Sequence, residues 1–257
     1  MCNYVKSEWY RITHSYTIYL FTGILSVLTL LLNIVLFLFD KFEEGFQYGT
    51  VAFSLGNIAH MTILFYMGMI VAILLFAGEK KHGALKNAIA FGFSRTEIFL
   101  GKCIVSTAIS LCSMVVILVV YIGSAVLLLE PGVEPDAVAI ILKGVACNLI
   151  MAVAFEILAI MLSAVFEKEM VGLIVWYLIM TVIPQICRMI GLRSELFSNI
   201  AAWMPHNYLG NEVVVTMSGW SCLWQTPEGV AKCLIAGVTG LIVFLLLGLV
   251  ICKKQEV

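Results

Sequence analysis

The sequence predicts an all-α integral membrane protein with six transmembrane helices. Three observations carry this reading. Of 257 residues, 62% are hydrophobic and 12% charged, and mean hydropathy is +1.05, whereas about a quarter of the residues in a soluble domain are charged. The apolar residues gather into segments of the roughly 20 residues that a helix needs to cross the hydrocarbon core. Between those segments the basic residues fall mostly on one side, as they do in oriented membrane proteins. The formal net charge of −1 gives no overall field for nucleic acid, and no nucleic-acid partner is expected.

The elements follow in chain order. Val5, Trp9, Ile12 and Tyr16 recur at helical spacing while Lys6 and Thr13 fall elsewhere around the helix, which predicts a short amphipathic helix at the membrane interface, anchored by Trp9 and Tyr10. Spans are predicted over 17–39, 55–77, 104–129, 137–166, 170–187 and 233–252, forming one transmembrane domain over 1–257. Segments 17–39, 55–77, 104–129 and 233–252 contain no Asp, Glu, Lys or Arg. The fourth carries Lys143 and Glu156, and the fifth is short and contains Pro184, so a pair of half-spans is the alternative there. The first segment is too long for a signal-peptide core and lacks a small-residue cleavage site behind it, so it is read as retained.

Orientation comes from the lysines and arginines. With the N-terminus inside, cytoplasmic segments hold Lys6, Arg11, Lys80, Lys81, Lys86, Arg95, Lys102, Lys168, Lys253 and Lys254, which is ten of the fifteen basic residues. The outer side holds Lys41, Lys143, Arg188, Arg193 and Lys232, beside the acidic Asp40, Glu43 and Glu44. Both termini are therefore expected in the cytoplasm.

Two connections have internal structure. In the cytoplasmic segment 78–102, Ala84, Leu85, Ala88 and Ile89 make a narrow apolar stripe flanked by Lys81, His82 and Lys86, the pattern of a short amphipathic helix. Gly92 breaks it, and Ser94 followed by Glu97 forms a capping box that starts the next helix near Arg95. In the outer segment 188–232, Leu196, Ile200, Trp203 and Met204 fit a short helix with one apolar side. Trp203, Trp220 and Trp224 suit the membrane interface. Thr226 before Pro227 and Glu228 reads as the cap and first turn of the last helix.

Catalytic patterns are missing from the sequence. The eight cysteines form no CxxC pair and no zinc-like spacing with histidine. Cys103, Cys112, Cys147, Cys233 and Cys252 sit in or beside apolar segments as small hydrophobes; only Cys187 and Cys222 are placed to meet on the outer side, and a bridge between them is not expected. His14, His60, His82 and His206 are scattered, without HExxH, and there is no GxSxG. The phosphate-binding pattern GxxxxGK[ST] also fails, because Gly101-Lys102 is followed by Cys103 and preceded at the required position by Thr96. No metal, bound cofactor or catalytic group is expected in this chain.

Polar residues within the spans are the remaining candidates for function, since an ionisable group there is costly unless it faces protein or water. Glu156 falls near the middle of its helix, about 16 Å from the inner end at ~1.5 Å per residue. Asn57, His60 and Asn148 are further candidates for a translocation path, as is Asn33, though for each singly a hydrogen bond between helices is the favoured role.

Taken together, the run from Glu79 to Lys102 (E-x-x-x-G-A-L-K-N, then G-x-S-R-x-x-I-x-x-G-K), the span number, the interfacial N-terminal helix and W-M-P-H at Trp203 to His206 resemble the membrane subunit of type-2 ABC exporters. The likeness is strongest to short bacterial permeases of peptide-antibiotic and lantibiotic export or immunity systems. The resemblance implies a cytoplasmic coupling helix docking on a separate ABC ATPase subunit, with Glu79, Lys80, Gly83, Leu85, Lys86, Asn87, Gly92, Ser94 and Arg95 as its coupling residues. It implies ATP and Mg on that partner, a second permease chain, the same or a sister, surrounding lipid, and a bacterial plasma-membrane location. The implied function is export or extraction of a hydrophobic or amphipathic substrate, a peptide antibiotic by the nearest likeness, with no chemistry in this chain. The alternative is an ion-coupled secondary transporter or channel that uses Glu156; against it, no internal repeat is visible. A membrane enzyme ranks below both.

Overall fold

A computed structural model describes residues 2–76, 88–166, 168–216 and 218–254, except for the side chain of Lys254. Helix α1 (Cys2–Thr13) is followed at once by α2 (Tyr16–Phe42), whose N-cap Ser15 accepts from Thr17 N. On α1 the buried residues are Tyr4 and Ile12, while Trp9 and Tyr10 are exposed. The face turned to the protein is thus rotated from the expected Val5, Trp9, Ile12, Tyr16 stripe toward Tyr4.

The expected span 55–77 is interrupted. A short helix α3 (Val51–Gly56) ends in a turn, and α4 (Thr62–Phe76) then runs to the edge of the described segment. The interruption has local causes. Thr50 caps α3 through its Oγ1, 3.2 Å from Phe53 N. The backbone N–H groups of Val51 and Ala52, which a helix start leaves without partners, donate to Glu130 O at 2.7 Å and Pro131 O at 3.3 Å. At the other end Asn57 Nδ2 lies 3.2 Å from both Phe53 O and Ser54 O, offering those carbonyls a side-chain partner in place of a further helical turn. Met61 then takes φ +56, disfavoured for a side-chain-bearing residue, and is held there with its side chain buried beside Gly144.

Helix α5 (Arg95–Leu128) is 34 residues long, about 50 Å at 1.5 Å per residue, so it exceeds the hydrocarbon core and projects beyond it. After a loop comes α6 (Ala137–Val165), the hub of the bundle. In its most apolar stretch 78% of residues lie inside the protein, against 6% for α2, so α6 is surrounded by other helices and α2 stands at the margin. Next come α7 (Glu169–Tyr177), a π-helical turn (Leu178–Val182) and α8 (Ile183–Gly191) in one continuous path. The π turn ends two residues before Pro184, which cannot donate a helical hydrogen bond. Ala137–Val165 and the path Glu169–Gly191 are each long and apolar enough to cross a membrane.

The cover at the end of the bundle opposite α1 contains α9 (Glu195–Ala202), α10 (Pro205–Asn211), a hairpin of β1 (Val214–Thr216) with β2 (Gly219–Ser221), and a 3-10 turn (Leu223–Gln225). Leu196, Ile200 and Trp203 of the α9 segment are exposed, as an interfacial helix requires, but Trp220 and Trp224 are not: Trp224 is wholly buried and donates from Nε1 to Ile140 O at 2.7 Å. The expectation that all three tryptophans sit in the interface is corrected for these two, because the cover folds back on α6 and places the indoles inside the protein. Cys187 and Cys222 are free thiols. Helix α11 (Pro227–Lys254) begins as its sequence predicts, with Gly229 N donating to Thr226 Oγ1 at 3.2 Å. It lies close along α6, since Cβ atoms at Gly237 and Gly240 would stand 3.1 Å from Met151 N and 3.2 Å from Met151 Sδ; small residues permit such approach between membrane helices.

In all, α2, α5, α6, α7–α8 and α11 are long and apolar enough to cross a membrane, and α4 is a shorter apolar helix. The chain is an all-α membrane protein apart from the small hairpin in its cover.

Candidate functional site

Three groups of residues carry the functional question: the connection leading into α5, the polar side chains buried between spans, and the concavity under the cover. Of the coupling residues expected from sequence, Glu79, Lys80, Gly83, Leu85, Lys86 and Asn87 lie outside the described residues, whereas Gly92, Ser94 and Arg95 are described. Residues 88–90 are helical and end in a turn in which Gly92 N donates to Ile89 O at 2.9 Å and Phe93 N to Ala88 O at 3.2 Å. Gly92 has φ +87, with open space where a Cβ would point, so its glycine character is needed for conformation and not for room. The capping box of Ser94 is complete. Glu97 N donates to Ser94 Oγ at 3.3 Å, and Ser94 N returns the bond to Glu97 Oε2 at 3.1 Å. Arg95 is the first residue of α5.

This elbow is braced by α1. Tyr4 meets Phe93 edge to face with ring centroids 5.4 Å apart, and it covers Gly101 near the start of α5. On the other side Phe99 packs over Gly248 near the end of α11. The segment before Ser94 thus leads into an unbroken helix of 34 residues that packs on α1 at Tyr4 and on α11 at Phe99.

Among the path candidates, Glu156 is 1% exposed and sits between α4, α5 and α6. Its Oε1 accepts from Ser106 Oγ at 2.5 Å and its Oε2 from Ser110 Oγ at 2.7 Å, while Gly68 of α4 presents bare backbone to its Cβ. Asn148 is fully buried two turns away on α6; its Nδ2 donates to Gly144 O at 3.0 Å and its Oδ1 has no partner among the described residues. Asn57 and His60 are elsewhere. Both line a cavity of about 890 Å³ under the cover, bounded also by Thr50, Gly132, Val215 and Trp220. His60 Nδ1 lies 3.0 Å from Leu209 O, which ties the α3–α4 turn to α10. The four candidates thus divide into an open pair and two separate buried residues.

The interhelical hydrogen bond favoured for Asn33 is present in a third polar group. Asn33 of α2 donates from Nδ2 to Tyr121 O at 2.9 Å and Ser124 Oγ at 2.7 Å, and accepts from Ser54 Oγ at 2.6 Å. The Tyr121 hydroxyl in turn donates to Ser54 O. This network joins α2, α3 and α5 where hydrocarbon offers no competing water, and every polar atom of the Asn33 amide is used, so it acts as a fastening between helices. Ser106 and Ser110 were missed, although their four-residue spacing on one face of α5 is the visible signal.

In the cover, Arg188 donates from Nη1 to Asn211 Oδ1 at 2.9 Å, Gln185 lies 3.2 Å from His206 Nε2, and Lys232 pairs with Glu212. Burial first, and then the charge of Arg188, hold His206 below its usual value, so its neutral form is favoured.

Comparison with individual curated proteins gives no match. The family model described as ABC-2 family transporter protein matches residues 4–184, which takes in α1, the spans up to the π turn, the α3–α4 interruption and the elbow at Gly92 to Arg95. With that match covering well over half of the chain, and with the membrane helices it requires, the chain belongs to the ABC-2 family of transporter membrane proteins.

Proposed function

We propose that this chain is the membrane subunit of an ATP-driven exporter that moves a hydrophobic or amphipathic substrate out of the cell or the membrane, a peptide antibiotic being the substrate class favoured by resemblance. The observation that carries the reading is the elbow before α5: a left-handed glycine, a complete capping box and a single helix about 50 Å long, braced by α1 at Tyr4. A connection serving only to place positive charge in the cytoplasm has no need of that construction. An ABC ATPase subunit docks on the segment from Glu79 to Arg95 and supplies ATP and Mg; its closure pushes the elbow, α5 tilts, and access to the path changes. Asn57 and His60 mark the outward mouth, where their cavity opens under the cover. Glu156 and Asn148 lie deeper, between spans that rearrange around them. The marginal position of α2, apolar and exposed along most of its length, suits a second permease chain, the same or a sister, packed against it. Both termini are placed in the cytoplasm of a bacterial cell.

The test is to purify the protein in mild detergent with its ATPase, reconstitute both in vesicles, and follow hydrolysis and substrate movement together. A stoichiometric soluble ATPase and substrate movement that requires ATP are expected. Movement driven by an ion gradient with no ATPase present would instead establish the ion-coupled transporter. Orientation is checked by labelling single cysteines in intact cells: positions 86 and 254 should be protected and position 218 accessible, and external labelling at 86 or 254 reverses the assignment.

A further inference from the structure

Glu156 is an ionisable group sealed among apolar helices. Its side chain is 1% exposed, and a Cβ on Gly68 of α4 would stand 3.1 Å from its Cβ and 3.6 Å from its Oε2. A carboxylate so placed has lost its water, and away from water it keeps its charge only beside a compensating cation.

Among the described residues the helices packed around it supply none. Helix α4 carries Tyr66 as its one ionisable residue, and α7 has no basic residue. On α5, Lys102 Nζ lies 4.7 Å from the ring centroid of Phe76, two turns beyond Gly68 at the far end of α4. The Cys103 thiol, one turn before Ser106 on the same face, is buried near Glu156 and has Cys252 of α11 beside it, and a thiol has no positive form to offer. On α6 itself, Lys143 is well over three turns away. Gly240 of α11 meets Ala154, close to the level of Glu156. Lys232 and Lys253 are each more than two turns from Gly240, and Lys232 is paired with Glu212 in the cover.

The hydrogen bonds accommodate the neutral acid without a stranded atom. Drawn with an ionised carboxyl, both serines donate to it; the same positions hold a second arrangement. Ser106 Oγ donates to Oε1 at 2.5 Å. Ser110 Oγ lies 2.7 Å from Oε2 and 3.2 Å from Thr107 O. With a hydrogen on Oε2, that O–H donates to Ser110 Oγ, and the Ser110 hydroxyl turns its own hydrogen to Thr107 O. Every hydroxyl hydrogen then has an acceptor, and both carboxyl oxygens are used. A metal ion does not fit the same group. These oxygen pairs stand at O–H···O spacing, shorter than the roughly 2.9 Å between neighbouring oxygens even around Mg, with its bonds of about 2.1 Å.

We infer that Glu156 is a proton-binding site: it holds one hydrogen as a neutral carboxylic acid between α4, α5 and α6, with Ser106 and Ser110 as the hydrogen-bonding partners that fix it. The group then places no charge in the membrane interior, and its two serine bonds still fasten α5 to α6. The inference does not depend on what drives transport, so its failure leaves the exporter reading standing.

Infrared spectra of the full-length protein in lipid vesicles test it, because an unionised carboxyl has a carbonyl stretch that a carboxylate lacks. At pH about 7 carboxyls in contact with water are ionised, so the wild type should show this band and Glu156→Gln should lose it. Ser106→Ala withdraws the donor to Oε1 and should raise the band's frequency. Ser163→Ala, which removes a hydroxyl of α6 bonded to Ile160 O, should leave it in place. If Glu156→Gln fails to insert, wild-type protein grown with glutamate carrying a heavy carboxyl carbon gives the same answer, since the acid band must then shift. A wild type with no acid band, or with one that survives Glu156→Gln unchanged, overturns the proposal. An unmoved band in Ser106→Ala overturns the hydrogen-bond arrangement. Loss of the band when sodium replaces choline in the buffer assigns the site to a cation and overturns the proton.

Discussion

Tyr4 of α1 lies so close to Gly101 of α5 that a Cβ on Gly101 would stand 2.5 Å from the ring carbon Cδ1 of Tyr4. Helix α1 is therefore not independent of the bundle: it is seated near the start of α5, the longest helix among the described residues. Gly101→Leu should force the ring out of this seat and cost about 1–3 kcal/mol, the usual penalty of overpacking. Hydrogen exchange localised to α1 would report the loss, and Tyr4→Ala combined with Gly101→Leu should restore much of it, since the two effects share one contact. Additive losses in the double variant would show that the two residues do not act through each other.

At the elbow, two substitutions separate shape from charge. Gly92→Val places a β-branched residue at φ +87 in open space, so its penalty of roughly 1–3 kcal/mol is one of backbone strain alone. Ser94→Ala removes the side-chain acceptor of Glu97 N and should loosen the first turn of α5 by about 1 kcal/mol. Both variants should insert in the membrane at wild-type levels while substrate moved per ATP hydrolysed falls, with Gly92→Val the more affected. Wild-type coupling in both would reduce the segment to a charged connection.

Glu156 offers a test of fastening against transport chemistry. Glu156→Gln keeps a carbonyl oxygen and an amide within reach of Ser106 and Ser110, so folding should change by no more than about 1 kcal/mol. Glu156→Leu leaves the Ser106 hydroxyl without its acceptor and the Ser110 hydroxyl with only its bond to Thr107 O at 3.2 Å, and should cost about 1–3 kcal/mol per hydroxyl stranded. Thermal unfolding in detergent measures both. Full transport by Glu156→Gln with normal folding would confine the residue to fastening helices.

His206 gives the cover a pH response whose sign follows from its surroundings. Burial and the Arg188 charge lower its value in the folded protein below the ordinary 6.5. Between that depressed value and 6.5 the unfolded segment binds more protons than the folded one, so stability is full above 6.5 and falls as the pH drops through this window. Unfolding of the cover, followed by the fluorescence of Trp220 and Trp224, should become easier on acidification. His206→Gln should flatten the dependence, and an unchanged slope in that variant would assign it to other groups.

What the sequence determined by itself was whatever depends on neighbours along the chain. The apolar segments, the capping box at Ser94, the cap at Thr226, the break at Gly92 and the missing phosphate loop are all local, because a helix needs a run of apolar residues and a cap needs partners three residues apart. The family resemblance drew on the same local motifs. Tertiary structure decided what depends on approach between distant residues. Nothing local to Trp220 or Trp224 says that the cover folds back and buries them, and the interruption at Gly56 to Met61 needs the 130–131 loop to take the first N–H groups of α3. Asn33 became a fastening only when Tyr121 and Ser124 arrived from α5. Asn57 and His60 came to share a cavity only because α10 and the hairpin close over them. In a membrane core without water, a buried polar atom is satisfied by whichever helix stands opposite, and that choice is made by packing, which the order of residues along one helix does not contain.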